Sequence, residues 1–415
     1  CLHRGCVPTK AILHSAETAE AVREAAAVGV RAAYQGLDMP TVQKYKNGVI
    51  SRMYKGLQGL VSSRGIDVVS GWGRLVAGDA VEVGGKRYRG RNIVLASGSQ
   101  SKTMGQEISG PVMTSDQALE LDRVPSSAVI LGGGVIGVEF ASAWASMGSR
   151  VTIIEGLPRL VPNEDEAVSK QLERAFRKRK IAFKTNTMFE SVERTATGVT
   201  VRTADSKTYD AEVLLIAVGR GPATANLGYE EAGVAMDRGF VLTDDYGRTN
   251  VDGVWAVGDI VPGVQLAHRG FAQGIVVAEK IAGLDPRPVD DTLVPKVTFC
   301  EPEIASVGLS EAQAIEIHGA EKVTTAEFNV AGNAKSQILG TQGFVKLVSL
   351  KDGPVVGFHA IGTRMGEQIG EGQLIVSWEA DAHDVASLVH AHPTQNETIG
   401  EAAMALAGKP LHNHG

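Results

Sequence analysis

At 415 residues, with 43% hydrophobic and 21% charged side chains, the chain has length for about two to four domains with buried cores; a stapled mini-module and a disordered segment are excluded. Lys and Arg total 41 against 47 Asp and Glu, and the net charge of −6 excludes a broad phosphate-backbone footprint, so no nucleic-acid partner is expected. The longest apolar runs, 128–138 and 213–218, fall short of the roughly 20 residues a membrane span needs, and three cysteines without a signal peptide exclude a secreted disulfide framework. A cytoplasmic protein with no membrane partner is the expectation. The first residue is not methionine, so a longer parent chain is also expected.

The chain opens on Cys1-Leu2-His3-Arg4-Gly5-Cys6-Val7-Pro8-Thr9-Lys10, followed by helical character over 6–34. In a regular helix, residues five apart have Cα atoms about 8 to 9 Å apart, beyond the roughly 4.4 to 6.8 Å of a disulfide. Pairing Cys1 with Cys6 therefore calls for a distorted first turn near Gly5 and Pro8. A thiolate at Cys6 would gain from the helix N-terminus and from the charge of Lys10 one turn later. These features favour a redox-active thiol pair; the alternative at this stage is two unrelated reduced cysteines. A second helix is predicted over 41–63, then short strands at 68–69, 74–76, 80–83 and 92–96, the last running into Ser97-Gly98-Ser99.

From residue 128 the pattern becomes strand (128–131), glycine turn, helix (135–147), strand (150–155) and helix (164–180), which predicts an α/β fold with a parallel sheet. The turn reads Gly132-Gly133-Gly134-Val135-Ile136-Gly137, a G-x-G-x-x-G between strand and helix. Its glycines suit close approach of a pyrophosphate, and the helix N-terminus supplies N–H donors. Glu155 ends the next strand 18 residues beyond Gly137, where a carboxylate accepts from ribose hydroxyls and repels a 2′-phosphate, so NAD is expected over NADP. The basic run 177–180 is expected to be the solvated end of a crossover helix. Residues 251–257 predict a buried strand ending in Gly258-Asp259, with a helix over 266–282 behind it.

After Pro286 and Pro288 the chain shifts to strands at 294–299, 344–348 and 355–361 and helices near 367–380 and 396–407, which predicts a separate C-terminal α+β domain. Cys300 is expected to be a buried bystander inside an apolar strand. His392-Pro393-Thr394-Gln395-Asn396-Glu397 supports a capping box from Thr394 and Glu397, with His392 as a base oriented by Glu397 outside the helix. His268, His383, His390, His412 and His414 have no metal-ligand spacing, so no metal is expected.

These four motifs, in this order and across essentially the whole chain, resemble the flavoprotein disulfide reductases of the pyridine-nucleotide class. The resemblance implies Rossmann-like FAD- and NAD-binding domains, parallel sheets with crossover helices, and a C-terminal α+β dimerisation domain. It divides the chain into an FAD-binding segment with the redox disulfide (1–108), an NAD-binding domain (109–240), a return segment (241–290) and the dimerisation domain (291–415). It implies that Cys1 is the interchange thiol and Cys6 the thiol nearest the flavin. His392 with Glu397 would be the base, acting on the disulfide of the partner subunit in a homodimer. Lys10 would lie against the flavin and pair with Glu139; Asp259 would bind ribityl hydroxyls. Gln265, Leu266, Ala267 and His268 would line the flavin, with Gly73, Ser97, Gly98 and Ser99 in peripheral contact. Gly132, Gly133, Gly134, Val135, Ile136, Gly137, Val138, Glu139, Glu155 and Gly219 would hold NAD.

The implied reaction passes electrons from dihydrolipoamide, carried on the lipoyl domain of a 2-oxoacid dehydrogenase or glycine cleavage complex, through the disulfide and FAD to NAD. Reduction of a glutathione- or mycothione-type disulfide is the alternative within the family, and Glu155 speaks against its usual NADPH. A non-catalytic NAD-binding, dimerising scaffold is the alternative outside it. Family members carry two dinucleotide fingerprints, and this chain has the one at Gly132. About forty residues holding the FAD fingerprint are expected to be missing ahead of Cys1, which would cost FAD its pyrophosphate contacts.

Overall fold

The strand Ser127–Leu131 is buried at every position, as expected where helices or a second layer cover both faces of a parallel sheet. Its alternate side chains separate into two cores. Ala128 and Ile130 face one with Val151, Ile153 and Leu215, while Val129 and Leu131 face the other with Ile154, Leu214 and Ile216. Full burial of each valine, leucine or isoleucine here contributes about 1.5–3 kcal/mol. The computed structural model describes residues 1–76 and 78–412; His414 lies outside them. All pairings of this five-stranded sheet are parallel, in the order Val112–Met113, Val213–Ile216, Ser127–Leu131, Arg150–Ile154, Ala182–Lys184.

Helices cover the first face: Val135–Met147, Glu166–Lys178 through Val168, Leu172 and Phe176, and Cys6–Glu24 through Ile12 and Ala16. A three-stranded antiparallel sheet, Phe189–Thr195, Gly198–Thr203 and Thr208–Ala211, covers the second through Val199 and Val201. The C-terminal sheet is antiparallel, ordered Lys296–Thr298, Glu303–Gly308, Val355–Gly362, Phe344–Leu350, Val323–Asn329. Val345, Leu347, Phe358 and Ala360 on it share a core with residues of the helices Met365–Ser377 and Glu397–Leu406. Ser306, His359, Lys346 and Glu327 are register partners in one row across it. Lys346 from this row pairs with Asp165, the N-cap of the Glu166–Lys178 helix, at 2.9 Å, and Ser306 donates to Glu164 at 2.6 Å.

These elements form one compact unit, Leu2–Val49, Thr103–Val218 and Thr292 onward. The other unit comprises Cys1, Ile50–Lys102 and Gly219–Asp291. It holds a parallel pair, Ile93–Leu95 with Val254–Ala256, and an antiparallel meander, Gly73–Val76, Ala80–Val83 and Lys86–Arg89. Leu75, Ile93, Leu227, Val241 and Ile260 are part of its core.

Several sequence expectations are corrected. The first helix ends at Glu24 and tightens into a 3-10 turn, Ala25–Val28, closed by left-handed Gly29. No strand forms at 68–69. The strand expected over 251–257 is confined to Val254–Ala256, because Gly253 turns with φ +73°. Cys300 is buried but follows the Lys296–Thr298 strand rather than lying in it. Arg179, expected in solvent, is only 16% exposed: it donates to the Ser142 and Ser146 hydroxyls, the Glu301 carbonyl and the Glu20 carboxylate.

Candidate functional site

Cys1 and Cys6 are both disulfide-bonded and Cys300 is the free thiol. The ring closes without distorting the helix, because the helix begins at Cys6 and Cys1 lies ahead of it. Gly5 makes the bend (φ −157°, ψ −116°), and its carbonyl accepts from the Thr9 amide and hydroxyl. Both sulfur-bearing residues are exposed, and Cys6 stands where helix N–H groups favour a thiolate.

One turn on, Lys10 Nζ meets both oxygens of Glu139, at 2.8 and 2.9 Å. Glu139 is 3% exposed, and its charge is further matched by the Phe299 amide at 2.9 Å. A carboxylate this buried is tolerated because its lone pairs are taken by a cation and an N–H. Lys10 also lies 4.8 Å from the Phe299 ring centre. A cavity of about 390 Å³, walled mostly by apolar atoms, opens here, lined by Cys6, Val7, Lys10, Ala11, Tyr45, Val49 and Phe299. It puts an apolar space beside a disulfide sulfur and an ammonium, which fits a flavin ring.

The glycine turn assigns each glycine a different task. A Cβ on Gly132, at φ +100°, would sit 2.5 Å from the Ala217 carbonyl oxygen, and one on Gly137 would sit 1.9 Å from that of Gly132. Gly134, the helix N-cap, has nothing within 4 Å of its would-be Cβ. A Cβ on Gly133 would meet Leu160 Cδ2 at 2.5 Å, so three glycines serve close packing and Gly134 leaves open space at a helix N-terminus, the arrangement a pyrophosphate requires. Glu155, 8% exposed, accepts from the Gly133 amide at 2.6 Å and the Leu157 amide at 2.7 Å. The residues fit NAD. Val135 is exposed, Ile136 packs at the core's margin, and the Val138 side chain is wholly within it.

In the other unit, the Ser99 hydroxyl donates to Asp259 Oδ2 and accepts from Arg220 Nε at 2.8 Å, while Arg220 also donates to the Ser99 carbonyl. Gln265 donates to the Asp259 carbonyl at 3.3 Å. Tyr229 donates to Ser97 Oγ, and the left-handed Gly98 carbonyl accepts from Ala223. Leu266 precedes the Ala267–Ile281 helix, whose first turn carries Ala267 and His268. Gly73 begins its strand. This polar cluster beyond the carboxyl end of a parallel strand fits a polyhydroxylated chain. Gly219, expected with NAD, belongs to this unit, where its carbonyl accepts from the Lys102 amide.

His392 is 72% exposed, and its Nδ1 donates to Glu397 Oε1 at 2.8 Å, leaving Nε2 as the proton-accepting nitrogen. Burial would raise the Glu397 carboxyl, but hydrogen bonds from the Thr394 amide and His392 hold it below the usual range. The expected capping box is half made. Glu397 accepts from the Thr394 amide at 2.8 Å, but the Thr394 hydroxyl donates to Ala391 and the N-cap is Asn396. Arg220, Glu371 and Asn396 escaped sequence reasoning: each acts through a partner distant in sequence or hidden behind a bland helix pattern.

Residues 1–274 match the family described as pyridine nucleotide-disulphide oxidoreductase, and residues 294–403 match the dimerisation domain of that name. A dihydrolipoyl dehydrogenase of Bacillus subtilis is 35% identical over 99% of this chain and 91% of its own length. One from Geobacillus stearothermophilus is 35% identical over 99% and 89%. Among solved structures, the HOCl-induced flavoprotein disulfide reductase RclA from Escherichia coli superposes with a TM-score of 0.86 at 27% identity, covering 97% of this chain and 90% of that one. LpdA from Mycobacterium tuberculosis shares the fold, with a TM-score of 0.90 at 24% identity over 98% and 90%.

Proposed function

The chain belongs to the pyridine nucleotide-disulphide oxidoreductase family, and on that premise we propose that it oxidises dihydrolipoamide with NAD through the Cys1–Cys6 disulfide and FAD. The observation that carries this reading is the disulfide at a helix N-terminus, beside the Lys10–Glu139 pair and an apolar cavity. Residues 1–108 and 241–290 are assigned to FAD, 109–240 to NAD and 291–415 to a homodimer. Exposed Trp378, Leu388 and Val389 near His392 in sequence give that homodimer an apolar surface. The lipoyl partner and a cytoplasmic setting belong to the same reading.

In the reaction, His392 Nε2 of one subunit takes the proton of a substrate thiol at the partner's disulfide. The substrate thiolate attacks Cys1 Sγ, the Cys1–Cys6 bond breaks, and Cys6 leaves as a thiolate. Helix N–H groups stabilise that thiolate. The second substrate thiol then attacks the substrate sulfur held in the mixed disulfide and expels Cys1, its proton passing to the departing Cys1 sulfur. The substrate dithiol is thereby oxidised to a disulfide and the cysteine pair reduced, with Cys1 a thiol, Cys6 a thiolate and the remaining proton on His392. Lys10 and the cavity walls would hold the flavin ring, Asp259 its hydroxylated chain, and the Gly132 turn with Glu155 the nicotinamide dinucleotide. When bound, FAD supplies the acceptor for the cysteines' electron pair and NAD the final hydride acceptor.

The test is a substrate panel on FAD-loaded protein: dihydrolipoamide with NAD, against glutathione-type disulfides with NADH and NADPH. Dihydrolipoamide with NAD should dominate, and Cys1→Ser, Cys6→Ser and His392→Ala should each abolish it. Substantial turnover in any of the three, or preference for another disulfide, would sink the assignment.

A further inference from the structure

The 390–396 segment that carries His392 is held from behind by one carboxylate. Glu371, on the Met365–Ser377 helix, accepts from His390 Nε2 at 2.7 Å through one oxygen and from Asn396 Nδ2 at 2.6 Å through the other. Both ends of the segment are thereby tied to the same side chain. Asn396 immediately precedes Glu397, the residue that orients His392, and as N-cap it spends its side chain on Glu371 instead of on its own helix. The His390 ring lies against the same helix at Gly400, where a Cβ would come within 2.7 Å of Nδ1. Two further ties fix the middle: Asn333 Nδ2 donates to the Thr394 carbonyl, and Gln395 Nε2 to that of Thr363, both at 2.9 Å.

We propose that Glu371 is a positioning residue for the base, clamping both ends of the 390–396 segment so that His392 keeps its contact with Glu397. This rests on the reading of His392 as the base. His392 itself is largely exposed, so little else packs it in place. The electrostatics agree. The Glu371 hydrogen bond raises the affinity of His390 for its proton against the opposing effect of burial, and the charges of Glu371 and Glu397 add to it. Burial would raise Glu371, yet the hydrogen bonds from His390 and Asn396 and the imidazolium charge hold it low. Glu371 on one helix and Glu397 on the other are the charged groups that face His390, and His390 is the one that faces Glu371.

Glu371→Gln and Asn396→Ala together separate geometry from charge. The glutamine keeps the size of the side chain but accepts through one oxygen only, so one of the two ties is lost, and Asn396→Ala removes the other tie without any change of charge. In the FAD-loaded enzyme, Glu371→Gln and Asn396→Ala should each lower kcat/KM for dihydrolipoamide about tenfold, the scale of a small misplacement. The loss should fall on kcat with KM within about twofold, because the base is misplaced while no substrate contact is removed. NADH-driven reduction of a one-electron dye, which bypasses the thiols, should stay within about twofold of the parent. Near-parental kcat/KM in both variants, or a loss confined to KM, overturns the clamp, as does a parallel loss of dye reduction, which would signal general damage. Persistent turnover in His392→Ala would instead remove the base reading beneath it, so the two failures are distinguishable.

Discussion

Gly134 and Gly137 of the 132–137 turn differ in what a methyl group would meet, and that difference separates folding from binding. Gly137→Ala drives a Cβ onto the Gly132 carbonyl oxygen, in a segment fixed between strand and helix. We expect it to lower stability by about 3 kcal/mol, the scale of an unrelieved overpacked contact. Gly134→Ala meets open space at an ordinary φ of −77° and should cost under about 1 kcal/mol, as for an N-cap change. It should nevertheless weaken NADH binding, because the pyrophosphate needs that space. Thermal unfolding and an NADH titration on both variants check this, and equal stability losses would contradict it. The turn was legible in the sequence because its requirements are local: a strand, a left-handed glycine and a helix start within a dozen residues. The Lys10–Glu139 pair, 129 residues apart, was reached through family resemblance, since no local periodicity specifies it.

At the scale of elements, the sequence located the Val135–Met147 and Glu166–Lys178 helices to within two residues, the second because its apolar stripe meets a sheet and the first because a glycine turn opens a helix buried on nearly every side. It failed where a polar residue works through the fold. Arg179 closes a helix whose last turn is basic, which reads as a solvated end. Folding instead inserts its guanidinium among three other segments, at Glu20, at Ser142 and Ser146, and at the Glu301 carbonyl. Arg179→Ala should destabilise the protein by about 2–3 kcal/mol, leaving those acceptors without their donor. Arg179→Lys, with a point charge in place of a planar fork, should recover only part of the loss. Chemical denaturation measures both, and a parental midpoint for the alanine variant would refute the role. The Thr394 hydroxyl misled for a local reason: the Ala391 carbonyl, three residues back, draws the hydroxyl away from the capping position.

At the scale of the whole molecule, the chain leaves one compact unit after Lys102 and re-enters it at Gly219, so no contiguous stretch contains all the candidate site residues. Its stability should carry a pH signature from Glu301. Burial pushes that carboxyl from an ordinary 4.5 up to about 7; Arg179 opposes this, and the neighbouring Glu20, Glu303 and Glu17 add to it. A folded-state value above the unfolded one means stability that is fully present below pH 4.5 and is lost as pH rises through about 7. Glu301→Gln should therefore gain on the parent by up to about 3 kcal/mol across that window, read from unfolding curves at several pH values. A difference that stays constant with pH would disprove it.

Glu155 closes the matter of cofactor choice in an unexpected way. Both of its oxygens are already bound to main-chain amides of the turn and of the following loop, so the residue that would sense a ribose hydroxyl also stitches the loop together. A descendant that exchanged it for a cation to accept the phosphorylated dinucleotide would unpick those stitches in the same step. Exchanging the charge at this position therefore also loosens the loop that presents it.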